Sequence, residues 1–240
     1  MRTAIRWHVY PTPDALADAL VDAIAHRARQ RIAARGRYTI VLTGGSTPKG
    51  LYARLAGIDA DWSKWTIYFG DERCVPSGHA ERNDELARSL WLAHVPIPDD
   101  RIRPIPAELG PERAAEAYAR ELAGIGRFDT TLLGVGEDGH VASLFPGRSE
   151  GLGDDAPDAI GVRASPKPPP ERVSLSARRL RESDEIVLLA TGGTKREAIA
   201  RLARLDPSIP ASVVARGGAD VWLDEEAAAD IRSARELDRL

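Results

Sequence analysis

The chain has very little cysteine: Cys74 is the only one in 240 residues. A single thiol excludes an internal disulfide and fits a reducing compartment. One thiol also cannot build a cysteine-rich zinc site, and the 5 histidines include no His-x-x-x-His pair, so we expect no bound metal. Neither a second thiol nor a dedicated base accompanies Cys74. We therefore interpret it as a semi-buried free cysteine instead of a nucleophile.

Long apolar runs and an excess of basic charge are also missing. No apolar run approaches the ~18 residues of a membrane-spanning helix, and the first residues lack the apolar core of a signal peptide. The 33 basic and 36 acidic residues are well mixed, and a net charge of −3 leaves no basic face for nucleic acid. We therefore expect a cytoplasmic protein that acts on a small molecule, without a nucleic-acid or membrane partner and with a monomer favoured over an oligomer.

Short apolar or β-branched runs alternate with amphipathic helical stretches along the chain. Strands are predicted at 5–10, 38–43, 65–69, 128–135, 185–190 and 220–223. Helices are predicted at 14–34, 48–56, 84–92, 111–123 and 195–205, with Thr12 and Asn83 as N-caps of the first and third. This alternation indicates parallel pairing and an α/β fold with a doubly wound, mostly parallel sheet flanked by helices. No long structureless linker divides the sequence, so we expect residues 1–240 to form a single domain.

One segment, 148–172, departs from this pattern. It is rich in glycine, aspartate and proline, and its end reads Ser165-Pro166-Lys167-Pro168-Pro169-Pro170 shortly before Arg172. This composition is typical of a surface linker. The alternative is a stiff loop that places Arg172 over a pocket, as functional loops on rigid scaffolds do.

The most informative motif is Gly134-Val135-Gly136-Glu137-Asp138-Gly139-His140, at the end of the predicted strand 128–135. Glycines let the backbone turn sharply and approach a ligand closely. An imidazole with a carboxylate nearby, here His140 and Asp138, is a natural general base or acid. The motif lies beyond the carboxyl end of a strand, where open parallel sheets place their functional sites.

The same letters satisfy the dinucleotide-binding pattern G-x-G-x-x-G, which makes a nicotinamide or flavin site an alternative. Such a site requires a long helix whose N-terminus faces a pyrophosphate. Here Glu137 and Asp138 would oppose the phosphates, and Pro146-Gly147 would end the helix after about one and a half turns. The sequence therefore disfavours a dinucleotide cofactor.

Three further turns follow predicted strands. Thr43-Gly44-Gly45-Ser46-Thr47 and Thr191-Gly192-Gly193-Thr194-Lys195 share a Thr-Gly-Gly pattern before a helix, which favours an anion at the helix N-terminus. The spacing of a nucleotide-binding P-loop is missing, so a single phosphate monoester fits better than a triphosphate. The alternative is that each is a plain turn between a strand and a helix. In the third turn, Gly70-Asp71-Glu72-Arg73, the guanidinium would bind phosphate or pair with Asp71.

Taken together, these motifs resemble the 6-phosphogluconolactonase family. Five blocks carry the resemblance in the family's order, and the third is highly specific: Thr43-Gly44-Gly45-Ser46-Thr47-Pro48, Asp71-Glu72-Arg73 with Val75-Pro76 and Asn83, residues 134–147, Pro168-Pro169-Pro170-x-Arg172 and Thr191-Gly192-Gly193-x-Lys195. The resemblance implies a Rossmann-like sheet and hydrolysis of 6-phospho-D-glucono-1,5-lactone to 6-phosphogluconate without a cofactor, in the oxidative pentose phosphate pathway. The family often has serine where this chain has Arg82, whose role stays open.

The chemistry of lactone hydrolysis then suggests a role for each residue. Our hypothesis assigns both proton transfers to His140, with Asp138 or Asp71 fixing its tautomer. Backbone N–H groups of Gly44, Gly45 or Gly136 would stabilise the oxyanion. Contacts to the substrate and its phosphate are predicted from one turn and three cations: Gly44, Gly45, Ser46, Thr47, Arg73, Arg172 and Lys195.

Two alternatives remain open. The related glucosamine-6-phosphate deaminases share the Gly-x-Gly-x-Asp-Gly-His turn, but an aromatic residue commonly follows their Asp-Glu pair and an acidic residue lies shortly after their histidine. Here these places hold Arg73 and Ser143-Leu144-Phe145, which favours the lactonase. A non-catalytic sugar-phosphate sensor would keep the glycine turns and the cations, yet it would have no need for His140 beside Asp138.

Overall fold

The computed structural model describes residues 4–232, and its centre is a seven-stranded parallel sheet. A small antiparallel sheet of three strands lies beside it. The strands in chain order are β1 (Ile5–Tyr10), β2 (Tyr38–Leu42), β3 (Trp65–Phe69), β4 (Asp71–Arg73), β5 (Ile102–Arg103), β6 (Phe128–Gly134), β7 (Ala159–Val162), β8 (Arg172–Leu175), β9 (Ser183–Ala190) and β10 (Ala219–Asp224).

The order of strands in the large sheet is β1-β10-β9-β6-β2-β3-β5. From β2 the chain moves to β3 and β5 on one side, whereas from β6 it moves to β9 and β10 on the other. The sheet is therefore doubly wound, as predicted, and its topological switch point lies between β2 and β6. Ligands bind to such sheets beyond the carboxyl ends of the strands at the switch point.

Eight helices accompany the strands within residues 4–232: α1 (Pro13–Arg35), α2 (Pro48–Leu55), α3 (Asn83–Leu90), α4 (Pro111–Leu122), α5 (Ala177–Arg181), α6 (Arg196–Ala203), α7 (Pro210–Ala215) and α8 (Ala229–Arg232). The first begins as predicted, because Thr12 Oγ1 accepts a hydrogen bond from the Ala15 N–H at 3.1 Å. All five side chains of β2 are buried, which requires cover on both faces of the sheet. In this part of the chain, no helix is both long and apolar enough to cross a membrane.

The structure corrects several of the predicted elements. Residues 71–73 were predicted as a turn but form β4, and the segment 148–172 contains β7 and ends at the start of β8. Helix α3 begins at Asn83, with Arg82 in the N-cap position, so Asn83 is not the cap. The helix predicted from Lys195 begins one residue later, after a short 3-10 turn at Gly193–Lys195.

Candidate active site

A cavity opens at the switch point, beyond the carboxyl ends of β2, β3, β6 and β9. The residues that line it come from the segments that follow these strands and from β4 and β8: Thr43, Gly44, Gly45, Ser46, Thr47, Asp71, Arg73, Asn83, Gly134, Val135, Gly136, His140, Ala142, Arg172 and Lys195. The set includes every predicted site residue except Asp138, which contacts the lining residue His140. Segments far apart in sequence thus meet at one place.

The imidazole of His140 is held in a fixed orientation. Its Nδ1 lies 2.6 Å from Asp138 Oδ1, and the same oxygen accepts the backbone N–H of His140 at 3.2 Å. A carboxylate partner favours the tautomer with hydrogen on Nδ1, which leaves the Nε2 lone pair for a substrate or water. Gly136 permits this arrangement, because a Cβ at that position would overlap the His140 ring.

Asp138 remains ionised in this pair. Burial acts to raise the pKa of Asp138, but the hydrogen bonds and the charge of His140 outweigh it and hold that pKa well below its usual range. A permanent negative charge at Nδ1 stabilises the imidazolium that forms when Nε2 takes up a proton. The pair is therefore suited to general base catalysis.

Asp71 has a different set of partners. Its Oδ2 accepts a hydrogen bond from Ser143 Oγ at 2.6 Å, and its Oδ1 accepts one from Asn83 Nδ2 at 3.1 Å. The Arg172 Nη1 lies 3.9 Å from Oδ2. Of the two carboxylates that the sequence offered, it is therefore Asp138 that orients His140, and Asp71 forms part of the cavity wall.

Glu72 and Asn83 hold this wall in place, and neither was among the residues predicted for the site. The buried Glu72 carboxylate accepts the N–H groups of Arg73 and Asn83, both at 2.8 Å, and that of Asp84 at 3.0 Å. Burial raises the pKa of Glu72 to about 8.

Asn83 Nδ2 also donates to the Asp71 carbonyl at 2.9 Å. The Asn83 side chain packs so closely on Gly44 that a Cβ at position 44 would overlap it. The signal was present in the Asp-Glu and Asn blocks of the resemblance.

Arg82, whose role was open, is a buried structural residue. Its Nε and Nη2 donate to the two carboxylate oxygens of Asp84 at 2.8 and 3.1 Å. Nη2 also donates to the Ile105 carbonyl at 2.9 Å. A bidentate pair of this kind satisfies a buried guanidinium and joins the start of α3 to the chain that follows β5.

The two Thr-Gly-Gly turns differ in how their amide groups are used. Among the contacts of residues 4–232, no hydrogen bond engages the backbone N–H groups of 44–47, which line the cavity. In the second turn, Gly192 N–H donates to both carboxylate oxygens of Asp224 at 3.0 Å, and Gly193 N–H donates to Glu226 at 3.3 Å. The first turn therefore has more free amide groups to offer an anion than the second.

Three cationic side chains line the cavity, and they differ in their hydrogen bonds and ion pairs. Burial lowers the pKa of Lys195, whose Nζ lies 4.0 Å from a Glu137 oxygen. Arg73 donates from Nη1 to the Glu81 carbonyl, while its Nε is buried with no partner in the described part of the chain. Arg172 uses Nε and Nη2 on backbone carbonyls of the preceding loop. All three charges are available to an anionic ligand, and Lys195 is the least occupied by hydrogen bonds.

The geometry gives little support for a reactive cysteine or for a metal site. Burial raises the pKa of the Cys74 thiol to about 11, which agrees with the interpretation of an unreactive cysteine. Across residues 4–232, no group of three or more His, Cys, Asp or Glu side chains is arranged to hold a metal ion. A dinucleotide site is also disfavoured, because turns and not a helix follow β6 in the described chain.

The fold and the cavity define a class of sugar-phosphate enzymes, and residues 11–222 match the family described as glucosamine-6-phosphate isomerases/6-phosphogluconolactonase. The chain belongs to this family. Within it, the similarity is to 6-phosphogluconolactonases: that of Mycobacterium leprae is 40% identical, covering 87% of this chain and 91% of the relative. That of Rattus norvegicus is 36% identical, covering 94% and 93%.

Solved structures agree with this assignment. The 6-phosphogluconolactonase from Trypanosoma brucei superposes with a TM-score of 0.84 at 29% identity, covering 95% of this chain and 99% of that chain. A monomeric glucosamine-6-phosphate deaminase superposes with a TM-score of 0.81 at 20% identity, covering 94% and 100%. The second likeness shows the fold alone, so the α/β, Rossmann-like architecture is common to both branches of the family.

Proposed function

We propose that this chain hydrolyses 6-phospho-D-glucono-1,5-lactone to 6-phospho-D-gluconate, a step of the oxidative pentose phosphate pathway. The observation that carries the proposal is the imidazole of His140, held through Nδ1 by Asp138 at 2.6 Å at the edge of a polar, cationic cavity. The similarity to 6-phosphogluconolactonases along nearly the whole chain supports the choice of substrate.

The proposed mechanism uses His140 twice. Neutral Nε2 takes a proton from water while the water oxygen attacks the lactone carbonyl carbon and its π electrons move to the carbonyl oxygen. When the tetrahedral intermediate collapses, the bond from that carbon to the ring oxygen breaks, and the imidazolium returns the proton to the ring oxygen. Asp138 stabilises the imidazolium between the two transfers.

Hydrogen-bond donors for the oxyanion come from the first Thr-Gly-Gly turn. The N–H groups of Gly44 and Gly45 are proposed for this task. Gly136, the third residue suggested by the sequence, is excluded because its N–H donates to the His140 carbonyl at 2.8 Å. The turn 44–47 therefore both lines the cavity and supplies free amide groups beside His140.

The phosphate is proposed to bind near Ser46, Thr47 and the cations Lys195, Arg73 and Arg172. Ammonium and guanidinium groups form charge-assisted hydrogen bonds with phosphate oxygens, which are about twice as strong as neutral ones. Lactone hydrolysis transfers no electrons, so we propose that activity needs no cofactor. The direct check is dialysis against a strong chelator, after which full activity is expected.

The proposed function is tested by a turnover assay with two sugar phosphates. We expect the purified protein to accelerate hydrolysis of 6-phosphoglucono-1,5-lactone above its spontaneous rate and to leave glucosamine 6-phosphate unchanged. Release of ammonia from glucosamine 6-phosphate would instead support the deaminase alternative. Binding of 6-phosphogluconate without any acceleration would support the non-catalytic sensor.

A further inference from the structure

One face of the small sheet forms a wall of the cavity. Side chains alternate between the two faces of a strand, so Asp71 and Arg73 of β4 share one face and Glu72 takes the other. Arg73 lies opposite Arg172 of β8 in the register of this sheet, and both line the cavity together with Asp71. Glu72 accepts N–H groups of α3 on the opposite face. The side chain of Asp71 is therefore on the cavity face of the sheet.

Two hydrogen bonds fix the orientation of the Asp71 carboxylate. Asn83 Nδ2 donates to its Oδ1 at 3.1 Å, and Ser143 Oγ donates to its Oδ2 at 2.6 Å. Ser143 is itself held in place, because its N–H donates to Ser174 Oγ at 3.2 Å. All four of these side chains are buried. The carboxylate therefore has little freedom to turn away from the cavity.

This buried carboxylate still has the capacity to accept further hydrogen bonds. Its two oxygens offer about four acceptor positions, and within residues 4–232 those from Asn83 and Ser143 are the two hydrogen bonds that they accept. Arg172 Nη1 lies 3.9 Å from Oδ2, which is beyond hydrogen-bond distance. A buried charge is costly unless it is paired and hydrogen-bonded. We therefore expect the cavity to supply at least one further donor.

The charges of the cavity indicate what kind of donor this is. Among the lining residues of the described chain, Asp71 is the one acidic side chain, and Arg73, Arg172 and Lys195 are cationic. A carboxylate repels a phosphate group but accepts hydrogen bonds from hydroxyl groups. A phosphorylated glucono-1,5-lactone carries its phosphate at one end and free hydroxyl groups on ring carbons 2, 3 and 4. The cations therefore suit the phosphate, and Asp71 suits the ring hydroxyls.

We propose that Asp71 recognises the sugar by accepting a hydrogen bond from a ring hydroxyl of the ligand, and that Asn83 and Ser143 position its carboxylate for this contact. This inference rests on the proposed function, because it takes a phosphorylated sugar lactone as the ligand. It adds a specificity element: Asp71 selects for the hydroxylated ring and takes no part in the proton transfers at the lactone.

The first test uses the wild-type protein and changes the substrate. It compares kcat/KM for 6-phosphoglucono-1,5-lactone with kcat/KM for the lactones that lack the hydroxyl at carbon 2, 3 or 4, each corrected for spontaneous hydrolysis. Loss of a hydrogen bond to a charged acceptor costs about 10- to 100-fold, so at least one deoxy lactone should be a poorer substrate by this factor, mainly through KM. If all three are hydrolysed within about 3-fold of the parent, the inference fails.

Asp71→Asn assigns the lost contact to this residue. The amide has nearly the same shape, but its neutral oxygen forms a hydrogen bond about half as strong, so the ratio of kcat/KM between the parent and the affected deoxy lactone should fall to about 3- to 10-fold. Ser143→Ala keeps the charge of Asp71 and removes one hydrogen bond that orients it, so it should lower the same ratio by a smaller factor.

Asp99→Asn is the matched control for these variants. Asp99 is exposed just before β5, at the edge of the sheet opposite the cavity, so the ratio in this variant should equal that of wild type. An unchanged ratio in Asp71→Asn would overturn the role of Asp71. If Asp71→Asn does not fold, an unchanged ratio in Ser143→Ala would overturn it.

Calorimetric binding separates this inference from the proposed function. The affinities of wild type and Asp71→Asn for 6-phosphogluconate and for its deoxy forms should show the same ratios without turnover. If wild type discriminates among these sugar phosphates but does not hydrolyse the lactone, the proposed function fails and the role of Asp71 stands. Equal affinities of wild type for the whole set would overturn that role, whether or not the lactone is hydrolysed.

Discussion

Gly44 and Asn83 show how much of the cavity depends on single residues. The Asn83 side chain reaches across to Asp71, with Nδ2 donating to both the carbonyl and the carboxylate of that residue. It can do so only because position 44 has no Cβ. A glycine next to a strand end is usually explained by turn geometry, but here the reason is the close approach of a side chain.

Replacing Gly44 by alanine should therefore damage the site. The new Cβ would overlap Asn83 Oδ1, so Asn83 must move and Asp71 loses two hydrogen bonds. Overpacking of this kind costs about 1–3 kcal/mol in the free energy of unfolding, and we expect kcat/KM on the lactone to fall with it. Gly126→Ala is the matched control, because a Cβ at that exposed position meets nothing within 4 Å.

The double variant Gly44→Ala/Asn83→Ala decides whether the overlap is the cause. Removing the Asn83 side chain makes room for the new Cβ, so the two changes should be less than additive in the free energy of unfolding, as residues in contact usually are. Strictly additive losses, measured by urea unfolding, would contradict the proposed contact.

At the scale of elements, β4 and α3 are joined through Glu72. Its carboxylate accepts two N–H groups from the first turn of α3 and one from Arg73 in β4. Arg82 and Asp84 lie beside it, with Arg82 Nε 4.0 Å from Glu72 Oε2. The acceptor for the first N–H groups of α3 is therefore a side chain of another element, β4. No residue adjacent to α3 in the sequence indicates this contact.

The pH dependence of stability tests this buried cap. An acid whose pKa is raised from 4.5 to about 8 binds a proton in the folded protein that the unfolded chain has already released, so stability falls as pH rises between these values. Glu72→Gln cannot ionise and escapes this loss. The difference in Tm, variant minus wild type, should therefore become more positive from pH 5 to pH 8.5. In the control Glu116→Gln, at an exposed position of α4, this difference should stay constant. A constant difference in Glu72→Gln would refute the assignment.

The elements also show what sequence can and cannot predict. Strands such as 65–69 and 128–135 are long apolar runs between turn signals, and the structure confirms them to within about a residue. Strands β4, β7 and β8 have three or four residues each. These short strands form because they pair with one another. Pairing between segments that are distant in the chain leaves no pattern in the local sequence from which the strands could be predicted.

The same limit applies to the site. The motif 134–140 is contiguous, so its chemistry could be inferred from the sequence. The two Thr-Gly-Gly turns are alike in sequence but differ in the structure, because Asp224 and Glu226, from a distant segment, accept the N–H groups of Gly192 and Gly193. The contacts of Asn83 and Ser143 with Asp71 likewise required the folded chain.

At the scale of the whole molecule, most of the buried apolar residues between positions 4 and 232 belong to one cluster. It runs from Leu16 in α1 to Ile231 in α8 and includes Ala159 and Val173 of the small sheet. A continuous core of this kind favours cooperative unfolding. The expectation that residues 1–240 form a single domain follows from it and stays a prediction.

Calorimetry tests the single-domain prediction directly. We expect one thermal transition whose calorimetric and van't Hoff enthalpies agree. A saturating sugar phosphate at about 100 times its Kd should stabilise the folded state by about 2.7 kcal/mol and raise Tm by roughly 5–10 °C. Two separate transitions, of which the ligand shifts only one, would mean that the chain contains two domains.

His140, oriented by Asp138, is the residue proposed to move the proton in lactone hydrolysis. The most direct measurement is kcat and KM of His140→Ala on 6-phosphoglucono-1,5-lactone, with the spontaneous hydrolysis subtracted and His26→Ala, an exposed histidine of α1, as control. Loss of a general acid–base should lower kcat by about 10²–10⁴-fold with KM little changed, whereas His26→Ala should match wild type. A His140→Ala enzyme that keeps more than about a third of wild-type kcat would exclude this role, because a loss so far below 10²-fold leaves no general acid–base function for the residue.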